Sequence, residues 1–287
     1  MPSLRDIRRR IRGVRNVSQI TKAMETVAAS RLRRAQERVM ASRPYVEALE
    51  DILADLAGVT AEGDVPPLLA VRQVERVALV MLSPNRGLAG PLPGNLNRRA
   101  ALFIANEAGV PVDLVVVGKK GRDFMSRRGQ NLIAEFTDIS DRPVMADVLP
   151  IAQIVINGYA NGDFDRVVLI YTRFLSMVGQ QPELKQLLPV EPPSGERTNP
   201  ADFIYEPSPG AVLNELLPRY VETLIYQAQL ESQASFYAAQ MVAMRNATDN
   251  AKEVIGDLTL TYNKVRQAVI TKEVAEIASG AEAMAKG

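Results

Sequence analysis

The stretch from Met244 to Val269 reads MRNATDNAKEVIGDLTLTYNKVRQAV. Met244, Thr248, Ala251, Ile255, Leu258, Tyr262, Val265 and Val269 recur in it by alternating steps of four and three. That heptad spacing lines them along one stripe of a helix, the signature of a coiled-coil seam. Ile270, Val274, Ile277, Ala281 and Met284 continue the seam one phase later. Upstream, Ser208 suits a helix cap and Pro209 the first helical position. Pro218 is expected to kink the helix, because proline removes a backbone donor and crowds the preceding turn. No proline follows Pro218, and Gly256 and Gly280 are tolerable weak points. A helix from Ser208 to the end would span roughly 115 Å.

A seam that long needs a partner, and residues 3–57 supply one. Ser3 followed by Asp6 resembles a capping box, and Gly58 supplies a stop. Leu4, Ile7, Ile11 and Val14 form a first block, and Val17, Ile20, Met24 and Val27 a second. Leu32, Ala35, Val39, Val46, Leu49, Leu53 and Leu56 form a third. The second block is out of phase with its neighbours, so the stripe is expected to slide around the helix. Such a helix spans roughly 80 Å and must project, pair or break at Pro44. Pairing the two terminal helices antiparallel hides both stripes, with one end of the longer helix left single and in need of another partner.

The middle of the chain changes period. Val74–Ser83, Val112–Gly118, Leu132–Phe136 and Arg166–Arg173 read as buried strands. Asn95–Ala108, Gly121–Arg128 and Ala146–Ala160 read as the helices between them. Repeated β-α-β units imply a parallel sheet covered by helices. A further strand pair is expected within Gln180–Pro189 and Phe203–Glu206, around a turn-rich loop from Glu191 to Arg197. The expected fold is therefore α/β: a long antiparallel coiled coil of N- and C-terminal helices with an inserted Rossmann-like α/β domain. The expected divisions are residues 1–58, 72–207 and 208–287.

Composition narrows the chemistry. The 287 residues include no His, Cys or Trp, and 34 basic residues balance 33 acidic ones. Histidine- or cysteine-based nucleophiles, disulfides and zinc, haem or iron–sulfur ligation through those residues are excluded. No side chain has an unperturbed pKa near 7. No apolar run is long enough for a membrane span, and the opening residues lack a secretory apolar core. The Arg-rich opening imitates an organellar transit peptide, but it runs on smoothly into the long helix. The loop Ser83-Pro84-Asn85-Arg86-Gly87-Leu88-Ala89-Gly90-Pro91-Leu92-Pro93-Gly94-Asn95 follows a strand and precedes a helix, where phosphates often sit. Its glycines have the wrong spacing for a dinucleotide fingerprint, and three prolines remove donors. Gly118-Lys119-Lys120-Gly121 reads as turn chemistry. Glu231, Asp249, Glu253, Asp257, Glu273 and Glu276 read as a solvated face, with no sign of an apolar pocket that would split a catalytic pair. Residues 1–43 hold 12 basic and 3 acidic residues, whereas residues 44–57 hold four acids and no base. A basic helix of that kind suits a membrane, nucleic acid or an acidic protein surface. The first aromatic residue is Tyr45, which argues against single-stranded nucleic acid.

The two ends also resemble a known family. Ile20-Thr21-Lys22-Ala23-Met24-Glu25-Thr26-Val27-Ala28-Ala29-Ser30, Met241 to Ala251, Tyr262 to Glu273 and Glu276 to Ala281 are similar to the gamma subunit of F-type ATP synthase. The Arg86-Gly87-Leu88 loop and the Tyr205-Glu206-Pro207 turn fit as well. The resemblance implies a central rotor shaft, itself non-catalytic and without cofactor or metal, that couples c-ring rotation to the beta-subunit catalytic sites. Its implied partners are alpha and beta subunits, the epsilon subunit and the c ring, with no nucleic acid and no membrane span of its own. The implied location is peripheral, on the cytoplasmic side of a bacterial inner membrane. By matched position, Met24, Gln267, Thr271 and Glu273 would contact beta subunits. Ile277, Ala281 and Met284 would form a bearing tip, and Tyr205 and Glu206 would meet the c ring. Gln240 stands where many members of that family carry Arg, a departure that does not supply the polar contact the resemblance would assign to that Arg. The alternative is an α/β nucleotide-binding enzyme with helical dimerisation arms. A third reading is a coiled-coil scaffold that binds DNA.

Overall fold

The computed structural model describes residues 3–59, 66–191 and 205–285. Helix α1 runs Leu4–Val59 and helix α5 runs Pro209–Ala285. Pro44 and Pro218 lie inside them without ending either. The Asp6 N–H donates to Ser3 Oγ at 3.2 Å, and that hydroxyl donates to the Asp6 carboxylate at 2.7 Å. At the other start, the Ala211 N–H donates to Ser208 Oγ at 3.3 Å. Both expected caps are therefore formed. Gly58 does not stop α1, which continues to Val59.

Between the helices lie β1 (Val77–Leu82), α2 (Leu92–Leu102), β2 (Val112–Val117), α3 (Lys119–Ser126), β3 (Asn131–Phe136), α4 (Met145–Asn161), β4 (Arg166–Phe174) and β5 (Gln180–Leu188). The chain forms two compact units, residues 1–28 with 241–287 and residues 29–240. This division falls within both long helices and not at their ends.

In the unit of residues 29–240, the sheet order is β3-β2-β1-β4-β5. The first four strands are parallel and β5 returns antiparallel to β4. Alternation along the strands feeds two cores, as the period of two demands. Val77, Leu79, Met81, Leu114, Val116 and Ile170 pack with Leu96 and Ala100 of α2 and Met125 of α3. Ala78, Val80, Leu82, Val115, Leu169 and Tyr171 face the other way. They meet Ile151 and Val155 of α4, Leu49 and Leu53 of α1, and Leu217, Val221 and Leu224 of α5. Strand β1 starts at Val77 and not at Val74, because the N–H groups of Glu75 and Arg76 both donate to the Asp165 carboxylate at 2.9 Å. The strand expected at Phe203–Glu206 does not form where it is described. Tyr205 and Glu206 are non-strand, and residues 203–204 and most of the Glu191–Arg197 loop lie outside the described residues. Strand β5 takes its ladder from β4 instead.

In the unit of residues 1–28 and 241–287 the two helices pair antiparallel. Arg8 donates to the Tyr262 hydroxyl, Thr21 Oγ1 lies 2.7 Å from Thr248 Oγ1, and Arg245 Nε donates to Glu25 Oε1 at 3.1 Å. Counting heptads outward from the threonine pair sets Ser18 opposite Ala251, Val14 opposite Ile255, Ile11 opposite Leu258 and Ile7 opposite Tyr262. Each of these is more buried than its helical neighbours. The expected sliding stripe is not what forms. Ser18, Thr21, Glu25 and Ala28 keep the phase of the first block, while Val17, Ile20 and Val27 are left 51%, 59% and 52% exposed. A straight pairing holds one phase more cheaply than it rotates two helices to follow a displaced block. Beyond Val265 no residue of α1 remains to pair, and Ile270, Val274, Ile277 and Met284 are exposed.

Candidate functional site

In open α/β sheets, ligands bind beyond the carboxyl ends of the strands, where the strand order reverses. Here that place lies between β1 and β4. The loop after β1 approaches the start of α3 so closely that side chains are excluded. Gly118 has φ +88°, and a Cβ there would lie 1.9 Å from the Ser83 carbonyl oxygen. At Gly121 a Cβ would lie 2.6 Å from Ser83 Oγ. These glycines serve a loop-to-loop contact and not a phosphate.

The donors at the start of α3 are already used. The Gly121 N–H donates to Ser83 Oγ at 2.8 Å, the Lys120 N–H to the Pro84 carbonyl at 3.2 Å, and the Lys119 N–H to Asn85 Oδ1 at 3.0 Å. The Ser83 hydroxyl in turn donates to the Val117 carbonyl at 2.7 Å. A helix start binds phosphate through free N–H groups, and this one has spent them within the chain.

The crevice itself is occupied by α5. Ser235 Oγ donates to the Thr172 carbonyl at 3.0 Å, and the Thr172 N–H donates to Ser232 Oγ at 3.3 Å. Gln233, Phe236 and Tyr237 wall the remaining space, about 60 Å³. Pockets for nucleotide-sized ligands run from ~300 Å³ upward. Asp141 closes the rim: its carboxylate accepts from Arg31 at 3.0 Å and Arg86 at 3.2 Å, and its carbonyl accepts from Gln233 at 2.7 Å. Leu88, at φ +64°, is exposed beside this rim.

A second cleft of about 570 Å³ lies against β4 and β5, lined by Arg43, Glu47, Tyr171, Arg173, Lys185 and Glu231 among others. Glu231 was expected on a solvated face but is half-buried. Burial pushes its carboxyl up, while the Phe174 backbone N–H and Arg173 hold it back. Burial also raises the Tyr171 phenol, with Glu231 and Glu183 adding to the effect. Asp249 does behave as a solvated carboxylate, held low by its hydrogen bond from Lys252. Among the described residues no cluster of acids fit for a metal ion occurs, and no helix is long and apolar enough to cross a membrane.

The residues singled out by resemblance fall in different environments. Met24 is half-buried on the line of Val17, Ile20 and Val27. Gln267, Thr271 and Glu273 are exposed on α5, as are Ile277, Ala281 and Met284. Tyr205 packs partly against the core under the sheet, and Glu206 is exposed. The sequence reading missed the polar layer of Thr21, Glu25, Arg245 and Thr248. Its signal was there: polar residues stand at seam positions in the middle of an otherwise apolar heptad pattern.

Fold and crevice together define a helix-paired protein with an α/β body in which α5 fills the crevice beyond β1 and β4. A family model described as ATP synthase matches residues 3–284. The ATP synthase gamma chain of Roseiflexus sp. (strain RS-1) is 53% identical over 289 residues, covering all of both chains. That of Chloroflexus aurantiacus (strain J-10-fl) is 50% identical over 99% of each. The chain belongs to the ATP synthase gamma-chain family. In fold it resembles a chain from the Euglena gracilis mitochondrial ATP synthase (OSCP/F1/c-ring, rotational state 3), with a TM-score of 0.70 at 20% identity, covering 98% of this chain and 94% of that one. A rotor chain of the same enzyme in rotational state 1 gives a TM-score of 0.66 at 20% identity. The nucleotide-binding-enzyme reading is not favoured.

Proposed function

We propose that this chain is the central rotor shaft of a proton-translocating F-type ATP synthase, and that it carries no catalytic site of its own. The observation that carries this reading is the helix pair itself, two terminal helices joined along one seam with the end of α5 left over. The filled crevice and the spent donors at α3 support the non-catalytic part. Its partners are the alpha and beta subunits of the catalytic head, the epsilon subunit and the c ring. It sits peripherally on the cytoplasmic face of a bacterial inner membrane. Met24, Gln267, Thr271 and Glu273 contact beta subunits, Ile277, Ala281 and Met284 turn in an apolar bearing, and Tyr205 and Glu206 meet the c ring.

The mechanism is differential contact. Each charge crossing 100 mV releases about 2.3 kcal/mol, so several must be pooled for one ATP. A shaft that presents unlike faces to equivalent beta subunits biases each between conformations, which is how a partner shifts an equilibrium. The unlike faces come from the exposed Val17, Ile20 and Val27 line on one side and from the charged remainder of the pair on the others. The basic surplus of the first helix suits acidic partner surfaces.

The test is reconstitution with alpha and beta subunits. One copy of this chain per six head subunits is expected, and a version truncated after Arg245 should lose coupled synthesis more than assembly. Unchanged coupled synthesis from the truncated version would reject the role given to the seam and tip.

A further inference from the structure

We infer that the polar layer of Thr21, Glu25, Arg245 and Thr248 is a sliding lock that sets the torsional stiffness of the helix pair; the inference rests on the rotor reading above. In a two-stranded supercoil, a change of twist forces the strands to slide past each other along their length. Resistance to sliding comes from side chains that interdigitate or from bonds that cross the seam at a fixed height. Next to the threonine pair the interdigitating side chains are small: by the heptad count Ser18 stands opposite Ala251, and Ala28 and Ala251 are buried, with Met241 and Met244 the larger side chains packed into this stretch. The crossing bonds lie in this same part.

Thr248 is 3% exposed and Glu25 7%. The two threonine hydroxyls are 2.7 Å apart across the seam. Whichever donates, the acceptor is left free to bond a carbonyl of its own helix, Met244 at 2.8 Å or Ser18 at 3.1 Å. One turn away, Arg245 Nε donates to Glu25 Oε1 at 3.1 Å, and Lys22 Nζ holds the other carboxylate oxygen at 3.0 Å. Of these, the Thr21–Thr248 and Arg245–Glu25 bonds cross the seam, and a slide along the helix axis stretches both together, while the Lys22 and carbonyl bonds lie within one helix and hold the crossing groups in place.

Stability does not explain the layer. Valines in place of the threonines would fill similar volume, and exchanging both partners of a buried hydrogen bond for apolar groups is often close to neutral. The threonines therefore act as positioning residues for the two helices and not as glue.

The experiment uses the assembled complex with the head fixed to a surface and a bead on the rotor. The chain has no cysteine, so V71C, at an exposed position in the unit of residues 29–240, gives a single attachment point on this chain, used with partner subunits whose accessible cysteines have been replaced. ATP-driven rotation of the complex carrying V71C alone tests the rotor reading separately. The angular variance of the paused bead then reads stiffness. T21V/T248V is expected to enlarge the variance while leaving the urea midpoint of the isolated chain unchanged or higher, and T21S/T248S is expected to match the parent. E25Q/R245Q, which keeps the threonines, is expected to enlarge the variance by a separate route. A T21V/T248V complex as stiff as the parent overturns the inference. So does a T21S/T248S complex as loose as the valine pair, because packing and not the hydroxyls would then be responsible.

Discussion

Replacing Gly118 by alanine separates a structural loop contact from a phosphate loop, because the two readings predict opposite failures. The new Cβ would lie 1.9 Å from the Ser83 carbonyl oxygen and 2.7 Å from its carbon, both backbone atoms that cannot rotate away. The backbone at φ +88° adds about 1–3 kcal/mol of strain for any residue with a side chain. Relief requires the two loops to part. That stretches the bonds from Ser83 Oγ to the Val117 carbonyl (2.7 Å), from the Gly121 N–H to Ser83 Oγ (2.8 Å) and from the Gly118 N–H to the Phe136 carbonyl (2.8 Å). At about 1 kcal/mol each, their loss brings the total to about 4–6 kcal/mol. That is a large share of the ~5–15 kcal/mol that holds a domain together. Gly129, at φ +67° with no atom within 4 Å of its would-be Cβ, is the control, and G129A should cost only the left-handed penalty of about 1–2 kcal/mol. Urea unfolding followed by far-UV circular dichroism measures both variants, since the chain has no tryptophan. Hydrogen exchange should place the G118A loss in β1 and β2. The reasoning is refuted if G118A costs no more than G129A, or if it removes nucleotide binding from an otherwise unperturbed protein.

Three further outcomes are expected. G158A should destabilise although alanine is the better helix former, because its Cβ would lie 2.3 Å from the Phe164 ring; overpacking of about 1–3 kcal/mol outweighs a propensity gain of about 1 kcal/mol, and F164L in the same background should recover part of the loss in urea melts. Hydrogen bonds from Lys22 and then Arg245 hold the Glu25 carboxyl below its usual range, so its contribution is full above the unfolded value of ~4.3 and is lost as pH falls through the lower folded value; E25Q should flatten that acid limb in thermal melts at stepped pH. Calorimetry of the full chain with ATP and with NAD should register no saturable binding; a binding isotherm would reopen the crevice as a ligand site.

The fold was legible wherever a local period had one solution. Strand β1 is an unbroken apolar run of six, and β2 and β4 carry the shorter runs Leu114–Val117 and Val167–Tyr171; such runs flanked by turn residues have few places to go other than the middle of a covered sheet. The β-α-β order then implied parallel pairing, and capping residues marked where both long helices start. Edges were less legible. The start of β1 depends on Asp165, far along the chain, taking the N–H groups of Glu75 and Arg76. The antiparallel partner of β5 could not be told from sequence, because any edge strand would have served. At the candidate site, the odd glycine spacing argued against a dinucleotide loop, and the structure shows Gly118 and Gly121 in a close loop-to-loop contact with Ser83, but the occupation of the crevice by Ser232, Ser235 and Phe236 had no local signal.

Residue order alone was enough to require two long helices, a parallel sheet between them and chemistry without histidine or cysteine, since periodicity and composition are properties of the chain itself. Which of two adjacent heptad phases turned inward between Val17 and Ala28 was not such a property. Val17, Ile20 and Val27 are the more apolar set, yet Ser18, Thr21 and Glu25 hold the seam, because the facing helix offers Thr248 and Arg245 at that height. Burial of a polar residue is favourable only beside its partner, and the partner arrives from more than two hundred residues away.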